Sequence, residues 1–289
     1  MNSKNLLQNA YRKLIQKISF GYGFGKNPII KKILKNLEKS LKTEFSIIQG
    51  SKMYLDPGDS LDLSINGVYG ELDTKIIRDN IKEGDIVIDV GANIGYYTLI
   101  FAQLVGASGK VFAFEPEPKN FEILKKNIEV NNYQNIIAEQ KIVSDESGMV
   151  KLFIAEKGIV GHRLQQKTDS QKFIEVESIL LDNYLKNLNL SEKINFIKID
   201  VEGAEVKVLE GSKIMIEKSD QLKIFTEFNR EDIKKYDYNP EYLLSFLIKN
   251  KFNFFLPNYK TNTIIKTDKN TLLSSEELLK ENLNILCTK

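Results

Sequence analysis

Ile86-Val-Ile-Asp-Val-Gly-Ala-Asn-Ile-Gly-Tyr-Tyr-Thr98 decides how this chain is read. Residues 86–90 are an apolar run broken only by Asp89 and bounded by Gly84-Asp85 and Gly91, which predicts a strand buried on both faces of a parallel sheet. Gly91-Ala-Asn-Ile-Gly95 follows at once, and then Tyr97, Ile100, Phe101, Leu104 and Val105 recur at helical spacing. The order is strand, tight glycine turn, helix. Such a turn lets backbone approach a ligand, and the new helix directs N–H groups and a partial positive charge at it. The same turn also serves ordinary packing.

Outward from this stretch, Lys110-Val-Phe-Ala-Phe-Glu115 predicts a second strand ending on an acid, with Pro116 directly after. In open α/β sheets an acid at that place grips ribose hydroxyls. A dinucleotide site favours Gly-x-Gly-x-x-Gly, but Asn93 and Tyr96 stand where its second and third glycines belong. The turn therefore fits a nucleoside without a pyrophosphate, such as S-adenosylmethionine, better than NAD.

Asp89-Val-Gly-Ala-Asn-Ile-Gly95, Phe114-Glu-Pro-Glu-Pro118, Asn127, Val143-Ser-Asp145, Gly148 and Lys198-Ile-Asp-Val-Glu-Gly-Ala-Glu205 together resemble the FkbM family of S-adenosylmethionine-dependent methyltransferases. The resemblance covers roughly residues 50–230, with several motifs in the right order. It implies an α/β fold: a seven-stranded, Rossmann-like class I methyltransferase sheet with helices on both faces. It also implies methylation of a hydroxyl oxygen, with sugars and natural products among the substrates of the family. On that footing Asp89, Gly91, Ala92, Asn93, Gly95, Tyr97, Thr98, Glu115, Pro116, Ser144, Asp145 and Asp200 are the expected cofactor-binding residues. The adenine is expected near Ser144 and Asp145, where Asp145 either accepts from its amino group or caps a turn with Ser144.

At 289 residues the chain suits one large α/β domain or a core with a small extension. The expected division is an N-terminal helical extension over 1–43 and a methyltransferase domain over 44–289. Within the latter, 44–83 form a hairpin and a covering helix and 84–289 the Rossmann-like core. The net charge of +2, from 41 basic and 39 acidic residues, lacks the basic footprint of a nucleic-acid partner. One cysteine, Cys287, excludes an internal disulfide and a cysteine zinc site, and is consistent with a cytoplasmic protein. No run approaches the ~20 apolar residues of a membrane helix.

Residues 3–19 set Leu6, Leu7, Ala10, Leu14, Ile15 and Ile18 on one helical face, with Lys4, Arg12, Lys13 and Lys17 elsewhere. Peripheral membrane contact and docking on the domain, or on a second subunit in a homodimer, both suit that pattern. A break at 20–25 precedes a second basic helical segment, Pro28–Leu41. Further along, Glu44–Leu55 reads as a hairpin, Glu71–Ile81 as a helix, Ile136–Gln140 as the third strand, and Met149–Ile154 and Phe173–Val176 as short strands. Between these last two lies Gly158-Ile-Val-Gly-His-Arg-Leu164, carrying the only histidine. His162 suits a base for the acceptor hydroxyl or an idle loop position, and Arg163 suits an anionic sugar or phosphate.

Asn195–Asp200 predicts the fourth strand, again ending on an acid, and Val201-Glu-Gly-Ala-Glu205 opens a helix. Leu222–Phe228 is the fifth strand, with Glu227 either a second candidate for substrate or metal contact or part of a plain structural ion pair. Lys251–Leu256 and Asn284–Cys287 close the sheet as an antiparallel pair, around a polar loop or hairpin at 258–270. Strands of this kind bring Asp89, Glu115 and Asp200 to one edge, where ligands bind and three carboxylates suit a sulfonium cation. The sequence thus predicts an O-methyltransferase acting on a hydroxyl of a sugar in a glycan or glycoconjugate, with Asp200, Glu202 and His162 as candidate catalytic bases. No metal ligand is assigned, although Asp200 and Glu202 are of the type that holds Mg²⁺. The competing readings are a non-catalytic nucleoside-binding module and a dinucleotide-dependent oxidoreductase.

Overall fold

A computed structural model describes residues 7, 11, 43–155, 161–166, 171–275 and 283–289. The segments 3–19, 20–25 and 28–41, and residues 158–160 of the histidine-bearing insert, fall largely or wholly outside these. The chain divides into two compact units, Met1–Tyr69 and Gly70–Lys289.

In the first unit, β1 (Phe45–Ile48) and β2 (Ser51–Tyr54) form the expected antiparallel hairpin. Gln49 and Gly50 both take positive φ in its turn, 49° and 89°. Beyond it, the Asp56 carboxylate accepts from Gly58 and Ser60, and Asp59 accepts from the backbone of Leu63 and Ser64 at the start of α1 (Leu63–Asn66). Short polar side chains that bond local backbone make such turns.

The second unit opens with α2 (Glu71–Asn80), followed by β3 (Ile86–Val90), α3 (Tyr96–Val105), β4 (Lys110–Phe114), α4 (Pro118–Val130) and β5 (Ile136–Glu139). The α4 helix begins where the sequence says it should: Pro118 stands in its first turn, and the Glu117 carboxylate accepts from the Asn120 N–H at 2.8 Å. Next come β6 (Ile142–Val143), β7 (Gly148–Phe153) and β8 (Phe173–Ile179), a small separate sheet in the order β6-β8-β7. Then α5 (Leu181–Asn187), β9 (Phe196–Ile199), α6 (Glu205–Glu210), α7 (Lys213–Lys218), β10 (Lys223–Phe228), α8 (Arg230–Lys234) and α9 (Pro240–Lys249) complete the parallel part. The chain ends with β11 (Asn253–Asn258), β12 (Thr263–Thr267), α10 (Lys269–Ser274) and β13 (Leu283–Thr288).

The large sheet runs β12-β11-β13-β10-β9-β3-β4-β5. The five strands from β10 to β5 are parallel, and β13, β11 and β12 each pair antiparallel to their neighbours. Val87, Ile88, Val111, Phe112, Phe196, Ile197 and Ile224 fill its centre, fully or almost fully buried, as near-continuous apolar strands require. Seven strands match the expected class I arrangement, and β12 adds an eighth in the stretch read as a polar loop or hairpin. From β3 the chain steps to β4 and β5 on one side, then returns to β9 and β10 on the other. The switch point, where open α/β sheets bind ligands, therefore lies between β3 and β9. Among the described residues, no helix is long and apolar enough to cross a membrane.

Candidate functional site

Register brings the site together. Val90 of β3 is level with Ile199 of β9, and the Asp200 N–H continues the ladder by donating to the Val90 carbonyl at 3.1 Å. Gly91 and Asp200 thus leave the two strands side by side. A Cβ on Gly91 would collide with the Asp200 carbonyl oxygen, and Gly91 has φ 80°. Glycine is required there on both counts.

The glycine loop is tied to the end of β4. The N–H groups of Gly91 and Ala92 both donate to the Phe114 carbonyl at 3.0 Å. The Asn93 N–H donates to Glu115 Oε2 at 2.8 Å, and the Glu117 N–H donates to Glu115 Oε1 at 2.9 Å. Asn93 takes φ 52°, so the residue in place of a second glycine is the non-glycine type that best tolerates this region. Asn127 of α4, buried, donates its side-chain amide to the Ile94 carbonyl at 2.8 Å and fixes the loop from behind. Burial pushes the Glu115 carboxyl up to about 7, against the pull of those backbone donors. These bonds, with a further one from the Asn120 side chain, fix the Glu115 carboxyl at the end of β4.

Asp89 and Thr98 serve the framework. Asp89 is fully buried, accepts from the Thr98 hydroxyl at 2.6 Å, and lies 3.4 Å from Lys198 Nζ. Lys198 also stands 3.4 Å from Asp200, donates to the Gly91 carbonyl at 3.2 Å, and lies 5.4 Å over the Tyr97 ring. Burial lowers its affinity for a proton, but Asp200 and Asp89 outweigh burial and hold it above the usual lysine value. Sequence reading quoted Lys198 within a motif and gave it no task. The available signal was a lysine inside the otherwise apolar strand Phe-Ile-Lys-Ile, which needs a buried anion. Tyr96 and Tyr97 meet edge to face at 4.9 Å, and the Tyr96 hydroxyl bonds Thr74 of the covering helix α2 at 2.9 Å.

Ser144 and Asp145 follow β6. Asp145 accepts from Lys207 at 2.9 and 3.1 Å and from the Ser144 hydroxyl at 2.9 Å, and Tyr238 donates to it at 3.3 Å. Burial raises its carboxyl, but Lys207 and Ser144 more than offset that and hold it below the ordinary range. Of the two expected roles, the turn bond with Ser144 is present, and Lys207 is an ion-pair partner that sequence reading missed. Pro116 separates Glu115 from Glu117 at the start of α4.

Beyond β9 and β10 lies an acid-rich edge. Glu202 has φ 58° in a tight loop whose next residue, Gly203 (φ 103°), has no room for a Cβ, which would lie 2.6 Å from the Asp232 carbonyl. Glu205 is buried; its Oε1 accepts from Val201 and Gly203 at 3.2 and 3.1 Å, and Oε2 has no hydrogen-bond partner among the described residues. Arg163 reaches into this edge. It makes a two-pronged bond to Asp232 at 2.7 and 3.1 Å and another to Glu202 at 2.9 Å. The arginine read as an anion site is thus matched internally by two carboxylates. His162 beside it accepts the Ala155 N–H on Nδ1 at 3.2 Å, within its own loop. Asp200 keeps the most open carboxylate of the group, 42% exposed against 29% for Glu202. Among the described residues, no three histidine, cysteine or acidic side chains are grouped to hold a metal ion.

The Methyltransferase FkbM domain matches residues 89–254, more than half of the chain. A hexuronic acid methyltransferase, AglP, from Haloferax volcanii is 28% identical over 148 residues, covering 51% of this chain and 58% of the relative. The 31-O-demethyl-FK506 methyltransferase FkbM from Streptomyces tacrolimicus is 29% identical over 160 residues, covering 45% and 60%. Methyltransferase 1 from Beauveria bassiana is 26% identical over 147 residues, covering 45% and 59%. The chain thus spans about three fifths of the length of these curated relatives.

Proposed function

The chain belongs to the FkbM methyltransferase family, and from that premise we propose that it transfers the methyl group of S-adenosylmethionine to a hydroxyl of a sugar in a glycan or glycoconjugate. The observation that carries the cofactor is Glu115, held at the end of β4 with Oε2 on the Asn93 N–H. That pairing of a ribose-binding acid with a glycine turn at the switch point suits an adenosyl group. S-adenosylmethionine supplies an electrophilic methyl group on a sulfonium. Gly91 and Asn93 bring backbone up to it, Glu115 receives the ribose hydroxyls, and Ser144 and Asp145 border the adenine. Asp200, the most open carboxylate of the edge, favours a cation there.

The sugar acceptor is supported by the relative named for a hexuronic acid, and transfer to an oxygen by the relative named for a 31-O position. An alcohol must lose its proton as it attacks, so a base is needed. Of the three candidates Asp200 suits the task best, because its carboxylate is the most open, 42% exposed against 29% for Glu202, which Arg163 holds at 2.9 Å, while His162 is bonded within its loop. Acceleration beyond proton transfer comes from holding two reactants in one geometry.

Calorimetric titration with S-adenosylmethionine, S-adenosylhomocysteine and NAD tests the cofactor. The two adenosyl compounds should bind and NAD should not, and Glu115→Ala should weaken adenosyl binding by at least about tenfold, a loss of ~1.4 kcal/mol. Unchanged affinity in that variant would remove Glu115 from the ribose role. Asp200→Asn should lower turnover by about 10²–10⁴ while keeping cofactor affinity within about threefold; full turnover would clear Asp200 of the base role.

A further inference from the structure

Glu227 follows Thr226 on β10, and Thr226 is in register with Ile199 of β9. Glu227 is therefore level with Asp200, the residue assigned above as base. It is 9% exposed, and its side chain makes no hydrogen bond or ion pair with a described residue. Acids surround it: Asp200 and Glu202 from the loop after β9, Glu205 from α6 and Asp232 from α8. From the other side β13 sets Asn284 opposite it, and that amide is already donated to Asp73 of α2 at 3.1 Å. A side chain this buried without a partner among the described residues is a place for a ligand or a water.

Its charge state sharpens the point. Burial first, and then those four acids, push the Glu227 carboxyl up to about 9. At neutral pH it is an un-ionised acid that both donates and accepts, which complements a hydroxyl. The cations that bond the acids of this edge are already paired. Arg163 is matched by Asp232 and Glu202, Lys198 by Asp89 and Asp200, Lys235 by Asp232 and Lys207 by Asp145.

We propose that Glu227 is the acceptor-binding residue, holding a hydroxyl of an uncharged sugar, and that the acids around it bar an anionic acceptor such as a uronate. This rests on the methyltransferase reading above. A second carboxylate placed beside Glu227 meets the same field that keeps Glu227 protonated, and Arg163 and Lys198 are already paired with carboxylates of this edge. In this the chain differs from the Haloferax volcanii relative, whose name specifies a hexuronic acid.

The test uses the purified full chain with S-adenosylmethionine, a methyl hexoside and the corresponding methyl hexuronoside, reading S-adenosylhomocysteine release. The hexoside should be favoured by at least about tenfold in kcat/KM. Glu227→Ala should lose about 100-fold on the hexoside, chiefly in KM, with S-adenosylhomocysteine affinity within about twofold of wild type. Glu227→Gln keeps a donor and an acceptor and should recover much of that loss. Activity of the wild type should also fall as pH rises through about 9, where the donated proton is lost, and E227Q should lack that limb. Preference for the hexuronoside, an E227A variant as active as wild type, or no turnover of either glycoside by a chain that binds S-adenosylhomocysteine would each overturn the proposal. Failure to bind either adenosyl compound would instead overturn the methyltransferase reading beneath it.

Discussion

Lys198 stands third in a four-residue strand whose other members, Phe196, Ile197 and Ile199, are apolar and buried. A cation in such surroundings is tolerated only when its charge is met, and Asp89 and Asp200 meet it from adjacent positions at 3.4 Å each. The arrangement has a direct energetic signature. Lys198→Met keeps the side-chain length but strands the fully buried Asp89, whose remaining partner is the Thr98 hydroxyl. Urea denaturation should show a loss of about 3 kcal/mol, the usual cost of removing one partner of a buried pair. A loss below about 0.5 kcal/mol would mean that the charge is not confined as the distances indicate. Asn93 makes a related point: a left-handed φ of 52° at an asparagine where a dinucleotide loop has glycine keeps the turn while changing its ligand.

At the scale of elements, legibility followed locality. The strands β3, β4, β9 and β10 could be read because each is an apolar run with its own acid or turn at the end. The β12 strand could not be fixed, because Thr263-Ile-Ile-Lys-Thr267 is exposed over nearly its whole length and has no burial alternation to display. Only its partner β11 makes it a strand. The site divided the same way. Glu115 and the glycine turn are contiguous motifs, whereas Lys207 with Asp145 and Arg163 with Asp232 join residues 62 and 69 positions apart. Arg163 links two elements: backbone bonds hold it to Phe153 of β7, and its guanidinium holds the loop after β9 and the start of α8. Burial opposes its charge, but Asp232 and Glu202 outweigh burial and raise its pKa further. Arg163→Met should therefore loosen this junction before the central sheet. In hydrogen exchange, the Phe153, Arg163-site and Leu164 amides should lose at least about tenfold protection, with β3 and β4 retaining theirs. Equal loss everywhere would assign Arg163 to global stability, and no loss would make it a surface pair.

For the molecule as a whole, the decisive quantity is how many carboxyls the fold keeps protonated. Burial pushes Glu115 and Glu205 each up to about 7, and burial with neighbouring acids pushes Glu227 up to about 9. Between the unfolded glutamate value near 4.5 and these folded values, the native state binds more protons than the unfolded one. Stability must then fall as pH rises through that window. Asp145 and Asp232, held below their ordinary range, act in the opposite sense only in acid. The cofactor-free chain should accordingly be most stable near pH 5, an expectation resting on these opposed shifts, and weaken through pH 7 towards pH 9. One buried glutamate accounts for up to about 3 kcal/mol of that slope, at ~1.4 kcal/mol per unit. Glu205→Gln removes one titration and keeps an oxygen to accept from Val201 and Gly203. Urea melts at pH 5, 7 and 9 should show E205Q gaining on wild type by about 1–3 kcal/mol between the first two. A parallel pair of curves would mean that Glu205 is ionised in the native state, and that the acid-rich edge holds its charge by some arrangement other than keeping protons.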